Sequence, residues 1–505
     1  MRCRISERSA LAALIALVVY CLACFYPAAW SPDSKQVVFP VFGENGIERL
    51  VITDLTGKAV REVARATEQT AALSPAAWSP DGKWIAYIRF ALEVNGRDGP
   101  VMAGYSLMLQ DAESGKDRSL LTIKTPGGEE ANSSDALFGP WWSRDSKTLA
   151  VQDRAKGRHD ILLVGLDGKV RRKISLPKKE LPVRTLSLSA DARFVAYVKP
   201  RKKDGDREDT AVYLYDVGKN TTKQVGAAAP GEKDMIPRLV WSPDSRSLYV
   251  CAGDEDKKGG AVEQIEIQTG KAKTVWRKRE SLVYGISVSA GGDCLAVDYA
   301  VAADDCWAID VVDLRTGKAT PVHFDQEEPP HFSTAVSPDG KWVAFCPGIK
   351  EDKKERYIGA IVSVDGSQLR FFVPDRELEP LVPQIVEGRL GAALKRSGVE
   401  EQLEKAGVPV DGAVALHMEK IKTVLDKAAA REQAAIFREA IASAKVGLHL
   451  ALMEETPAAK RPRRAPAVWR EIDAFLRAYP GHVLGAEFKK RLDDLLAPGE
   501  KPRDE

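Results

Sequence analysis

Chemistry in this chain would have to come from few residue types. Only six histidines occur in 505 residues, which leaves little material for histidine-rich metal binding. His159, His323 and His331 are the three that a metal site could gather. The carboxylates Asp33, Asp81, Asp244 and Asp339 each follow Ser-Pro and suggest, at first sight, acid catalysis or calcium binding. Their recurrence argues otherwise, because a catalytic residue is singular while a turn residue returns with its turn. No G-x-S-x-G elbow is present: Gly104-Tyr-Ser-Leu-Met and Gly285-Ile-Ser-Val-Ser both fail the pattern. No H-E-x-x-H, paired C-x-x-C or phosphate loop occurs, and Cys21-Leu-Ala-Cys24 lies inside the N-terminal apolar run. Neither a catalytic residue, a cofactor nor a metal is therefore expected.

The elements that carry these residues are repeats. The stretch 76–88 (AAWSPDGKWIAYI) reads as a short strand, a turn and a second strand. Proline presets φ near −65°, aspartate bonds its own backbone and glycine accepts positive φ. Aromatic and β-branched residues follow, as in an antiparallel hairpin. Copies start at 28, 76, 140, 186, 239, 286 and 334, with serines at 31, 79, 143, 189, 242, 289 and 337. Each is followed by an alternating strand with a polar turn, such as RLVITDLTGK (49–58), and by a short closing strand. Four strands per unit at a period near 45 predict propeller blades, seven of them.

The W-S-P-D-G-K hairpin with D-L-x-T-G-K resembles the WD-like repeats of the TolB-type β-propeller family. It is also similar to the propeller of the prolyl oligopeptidase and dipeptidyl peptidase group. The resemblance covers about residues 27–374 and implies an all-β seven-bladed propeller without the peptidases' hydrolase domain. The 131 residues after Pro374 are too few for such a domain and show helical spacing instead. Val414, Met418, Ile421, Leu425 and Ala428 recur at three to four, as do Phe437, Ile441, Ala444 and Leu448. The region 413–446 suits one long helix or two stacked ones, and Trp469–Ala478 with Leu484–Leu496 a final pair. The organisation is thus a propeller over 27–374 followed by a smaller all-α domain over 375–505. The basic run Lys460-Arg461-Pro462-Arg463-Arg464 reads as a solvated linker.

Residues 1–24 form a leader, with Arg2, Arg4 and Arg8 before an apolar run from Ala10 to Ala23. A cleaved signal peptide, a lipoprotein signal with Cys24 at its end, and a retained membrane anchor are all consistent with it. Each places the propeller outside the cytoplasmic membrane, in the cell envelope, secreted or tethered. Of the seven cysteines, Cys251 and Cys346 read as buried apolar residues, and a Cys294–Cys306 disulfide stays open.

The connections sort by length. The turns after W-S and after D-L are short, whereas Arg89–Gly104, Thr122–Gly139, Lys199–Asp209, Gly226–Pro237, Ala252–Gly260, Pro321–His331 and Pro347–Arg356 are long. Alternate turns of an up-and-down sheet emerge on opposite faces, so the long ones share a face, where binding is expected. Charged clusters mark it: Arg201-Lys202-Lys203, Lys257-Lys258, Asp304-Asp305 and Lys353-Lys354. A net charge of +2 supplies no overall reason to expect nucleic acid, so a protein partner is the expected ligand. The alternative is a propeller enzyme, lyase-like or peptidase-like, acting in the central channel.

Overall fold

In a computed structural model, the repeats fold as the period-two spacing of their apolar residues requires. The structure describes residues 28–496 apart from 44–45, 58, 68–71, 96–98, 125–138, 154–159, 177–184, 201–209, 229–237, 255–258, 302–305, 327–331, 352–353, 374–378, 380–381, 407–413, 432–434 and 481. Seven antiparallel sheets follow one another: 29–65, 72–124, 141–175, 185–228, 239–279, 281–326 and 332–372, here blades 1 to 7. Each blade is continuous in sequence, with its strands in chain order from first to fourth. In blade 2 the first strand is split into Ala72–Leu73 and Ala77–Trp78. Blade 7 carries an extra hairpin, Gly348–Glu351 with Lys354–Tyr357.

The apolar core is a ring of seams between blades. In the second strand of blade 2, Ile85 and Tyr87 pack with blade 1 residues such as Val38 and Leu50, while Ala86 and Ile88 pack with Leu149 and Val151 of blade 3. Successive side chains point to opposite faces of a strand, and here both faces are buried. That is why these strands read as unbroken apolar runs. Blades 4 and 7 repeat the division with Val195 against Ala196 and Val343 against Ala344.

Among the described residues no strand is shared between the first and last blades, and side chains bridge them. Trp30 donates its indole N–H to the Ala335 carbonyl at 2.9 Å, and Arg370 Nη1 donates to the Leu55 carbonyl at 2.5 Å. Phe39 and Phe372 meet at 5.0 Å between ring centroids. Gly57 is required at this seam: its φ is +87°, and a Cβ would sit 2.8 Å from the Phe371 carbonyl oxygen.

After blade 7 the described residues form six α-helices: α1 (Val382–Arg396), α2 (Val399–Lys405), α3 (Val414–Arg431), α4 (Ala435–Glu454), α5 (Arg461–Ala478) and α6 (Val483–Leu495). The region expected as one helix or two is two, α3 and α4. The run 460–464 is not a linker, because Arg461 opens α5. Its guanidinium reaches the backbone carbonyls of Thr456 and Leu495 at 3.0 and 3.3 Å, which occupies acceptors just past the ends of α4 and at the end of α6. Helices α1, α4, α5 and α6 share a continuous core with blades 5 and 6, whereas α2 and α3 pack with α4 in a separate cluster. Phe324, in the fourth strand of blade 6, stacks on Phe437 of α4 at 5.6 Å, with the Arg396 guanidinium of α1 over its ring at 5.2 Å.

The open disulfide reading is corrected. Cys294 pairs with Asp313 and Cys306 with Val301, at opposite ends of two neighbouring strands, and both thiols are free. Cys251 and Cys346 are buried, and burial pushes the Cys251 thiol up to about 12.

Candidate functional site

The two faces of the ring differ in how their backbone is satisfied. On one face lie the turns after the first and third strands. In six blades the serine hydroxyl donates to an aspartate two residues on, as in Ser31–Asp33 at 2.7 Å and Ser79–Asp81 at 2.6 Å. Blade 6 substitutes Asp293, four residues after Ser289. The same serine oxygen accepts an N–H at the start of the second strand, for example Gln36 at 2.9 Å. These carboxylates are structural, as expected. The serine hydroxyls hold Asp33, Asp145 and Asp244 below the usual carboxylate range, so they stay ionised at neutral pH and cannot serve as acids.

The turns also stitch blades together. Trp142 donates its indole N–H to the Ala77 carbonyl at 3.0 Å and Trp241 to Ser187 at 3.2 Å, each in the preceding blade. Asp81 N–H donates to Ser146 Oγ at 3.0 Å and Asp339 N–H to Ser34 Oγ at 3.0 Å. Arg144, where blades 1, 2, 5 and 7 have proline, reaches past blade 4 to the Pro243 carbonyl of blade 5 at 3.1 Å.

The opposite face carries the connections after the second and fourth strands, as their lengths required. Much of what reads as loop is strand. In blade 2 the hairpin Trp84–Asn95 with Gly99–Asp111 is paired from Trp84–Asp111 out to Asn95–Gly99. In blade 5, Ser247–Asp254 pairs with Gly259–Glu266 as far as Asp254–Gly259. Not every connection is long: Glu280 alone, at φ +52°, separates blades 5 and 6.

Of the expected binding residues, Arg201, Lys202, Lys203, Lys257, Lys258, Asp304, Asp305 and Lys353 lie outside the described residues, as do His159 and His331. Lys354 falls in the blade 7 hairpin, opposite Glu351. His323 is described: it is wholly buried between blades, with its ring 4.3 Å from that of Phe345. Among the described residues, no group of three or more histidine, cysteine or acidic side chains is arranged to hold a metal.

Two features escaped sequence reasoning. One is a polar joint near the helices. Asp310 accepts from Trp276 Nε1 at 3.0 Å and from the Tyr299 hydroxyl at 2.9 Å, while Lys278 donates to Tyr299 and lies 3.4 Å from Asp310. Burial pushes the Lys278 ammonium down and the Tyr299 phenol up. The other is a groove of about 850 Å³ on the tight-turn face between blades 4 and 5. Asp191, Asp216, Asp244 and Glu266 line it with negative charge, and Arg193, Lys219, Lys223 and Arg246 with positive charge. A signal existed in the repeats: four residues after the serine, blades 4 and 5 have Arg193 and Arg246 where blades 1, 2, 3 and 7 have lysine.

The serine–aspartate turns and the seven-sheet ring agree with the repeats. The fold is a seven-bladed β-propeller. No protein-family model matches the chain, and no curated protein matches it. Among solved structures, TolB from Acinetobacter baumannii is 17% identical, with 56% of this chain and 62% of that chain covered at a TM-score of 0.37. This chain therefore matches less than two thirds of the TolB chain's length. An oligogalacturonate lyase in complex with manganese is 14% identical, covering 70% and 89% at a TM-score of 0.46. A prolyl endopeptidase is 15% identical, covering 74% and 53% at a TM-score of 0.46.

Proposed function

We propose that this chain is an exported, non-enzymatic TolB-like propeller that binds a protein partner through the face opposite its tight turns. The observation that carries the reading is the sorting of connections. One face is closed by turns whose polar groups bond to one another and to the next blade. The other raises paired hairpins from blades 2, 5 and 7 above the ring. Hairpins on a rigid scaffold present a surface at a low cost in ordering entropy, which favours docking of another protein. Export rests on the basic head and apolar run of residues 1–24. No helix among the described residues is long and apolar enough to cross a membrane.

Full-length protein would be used to capture partners from an envelope fraction, beside a variant whose 199–209 and 252–260 connections are replaced by short turns. The variant should keep the wild-type unfolding transition and lose the captured partner; unchanged capture sinks the choice of face. Metal analysis of purified protein tests the enzymatic alternative. Stoichiometric metal that depends on His159 and His331 would replace the binding reading.

A further inference from the structure

We propose that the groove between blades 4 and 5 is a second docking site, which takes an extended peptide segment carrying charges of both signs. It lies on the tight-turn face, away from the surface proposed above, so the two stand or fall separately. Four carboxylates and four cations line it, so a ligand of one sign meets as much repulsion as attraction. Nucleic acid and acidic glycans are disfavoured on that ground. The aromatic residue at the groove offers no face for stacking a base or a sugar. Phe194 is covered by the Arg193 guanidinium at 4.6 Å on one side, and it stacks on Trp241 at 6.3 Å and 19°.

A peptide meets both conditions. Its side chains supply both signs, and its backbone suits the border of the groove. Thr221 and Lys223 belong to Thr221–Ala228, the fourth and outermost strand of blade 4, which ends the sheet. A sheet edge pairs with an added extended strand, and alternate side chains of that strand then reach one face. Arg193 and Arg246 are also available for exchange, while Lys223 Nζ is held by the Ile267 carbonyl at 2.9 Å. Arg193 lies 3.6 Å from Asp216 and Arg246 4.0 Å from Asp244, both long for ion pairs and both partly exposed.

The test is to pan a phage-displayed library of short random peptides on the full-length chain, counter-selecting on an Arg193→Glu/Arg246→Glu variant. Enriched peptides should carry both Lys or Arg and Asp or Glu. As synthetic peptides they should bind the wild type with an affinity that falls as salt shortens the screening length, about 8 Å at physiological ionic strength. The double variant should weaken binding by about tenfold or more. Lys219→Glu, at an exposed turn position, should weaken it without disturbing folding, which circular dichroism verifies. The proposal is overturned if nothing enriches against the counter-selection, if enriched peptides carry one sign only, or if charge reversal leaves binding unchanged. Peptides lost with the 199–209 replacement, but not with the groove variants, would support the other face alone.

Discussion

Replacing Glu439 by leucine should destabilise the helical domain by about 3–5 kcal/mol, the range for breaking a buried ion pair by removing one partner. Arg389 of α1 is wholly buried, and its Nη1 donates to both carboxylate oxygens of Glu439 in α4 at 3.0 Å. Its Nε and Nη2 find no acceptor among the described residues, so Glu439 is the counter-charge on which this cation depends. The same carboxylate bonds His482 Nε2 at 2.7 Å, and His482 Nδ1 accepts the Leu484 N–H at 3.2 Å as the N-cap of α6. Loss of Glu439 therefore also loosens a cap worth about 1 kcal/mol. Burial pushes the Glu439 carboxyl up, but Arg389 and His482 more than offset it and leave it below its ordinary value. The double variant Arg389→Met/Glu439→Leu removes both charges and should return to within about 1 kcal/mol of wild type, since a well-packed apolar pair often replaces a buried ion pair at little cost. Urea unfolding of the full chain, followed by far-ultraviolet circular dichroism through a double-mutant cycle, measures the coupling. The reasoning fails if Glu439→Leu costs less than about 1 kcal/mol, or if the double variant loses the sum of the two single losses.

Three further outcomes follow from the ring. Trp30→Phe removes the indole N–H that reaches the Ala335 carbonyl across the closing seam, a carbonyl that keeps its ladder pairing with Ala344, and should cost about 0.5–1.5 kcal/mol; Trp78→Phe, at an indole N–H without a partner among the described residues, should cost less, and equal urea midpoints for the two would contradict the stitching role. The turn carboxylates Asp33, Asp145 and Asp244 have lowered folded pKa values. Their contribution is complete above the unfolded value of about 3.9 and is lost as pH falls through the folded values, so propeller stability should hold from neutrality to about that pH and decline below it; a urea midpoint unchanged well below that point would refute the linkage. Cys251 and Cys346 are wholly buried, so a chromogenic disulfide reagent at neutral pH should leave them unmodified until urea unfolds the ring, and prompt labelling in the native state would contradict the seam packing.

The sequence by itself determined the blade. Tryptophan, serine, proline and aspartate in fixed order specify a local turn, because serine and aspartate bond to backbone within five residues of themselves. Seven copies then specify seven sheets, since a hairpin with two apolar faces must bury both against neighbours. The face of the long connections was also legible, from strand parity alone. The helices 382–405 were not read, because Val382–Arg396 has no clean apolar stripe: it buries Arg389 among Ile385, Val386 and Leu390. Only the tertiary structure decided which cation meets which carboxylate. Arg389 and Glu439 are 50 residues apart, and Lys278 and Asp310 come together across a seam between blades. The groove has the same origin. Its charges sit on turns and strand ends that are each ordinary alone, and only the packing of blades 4 and 5 brings them to one gap.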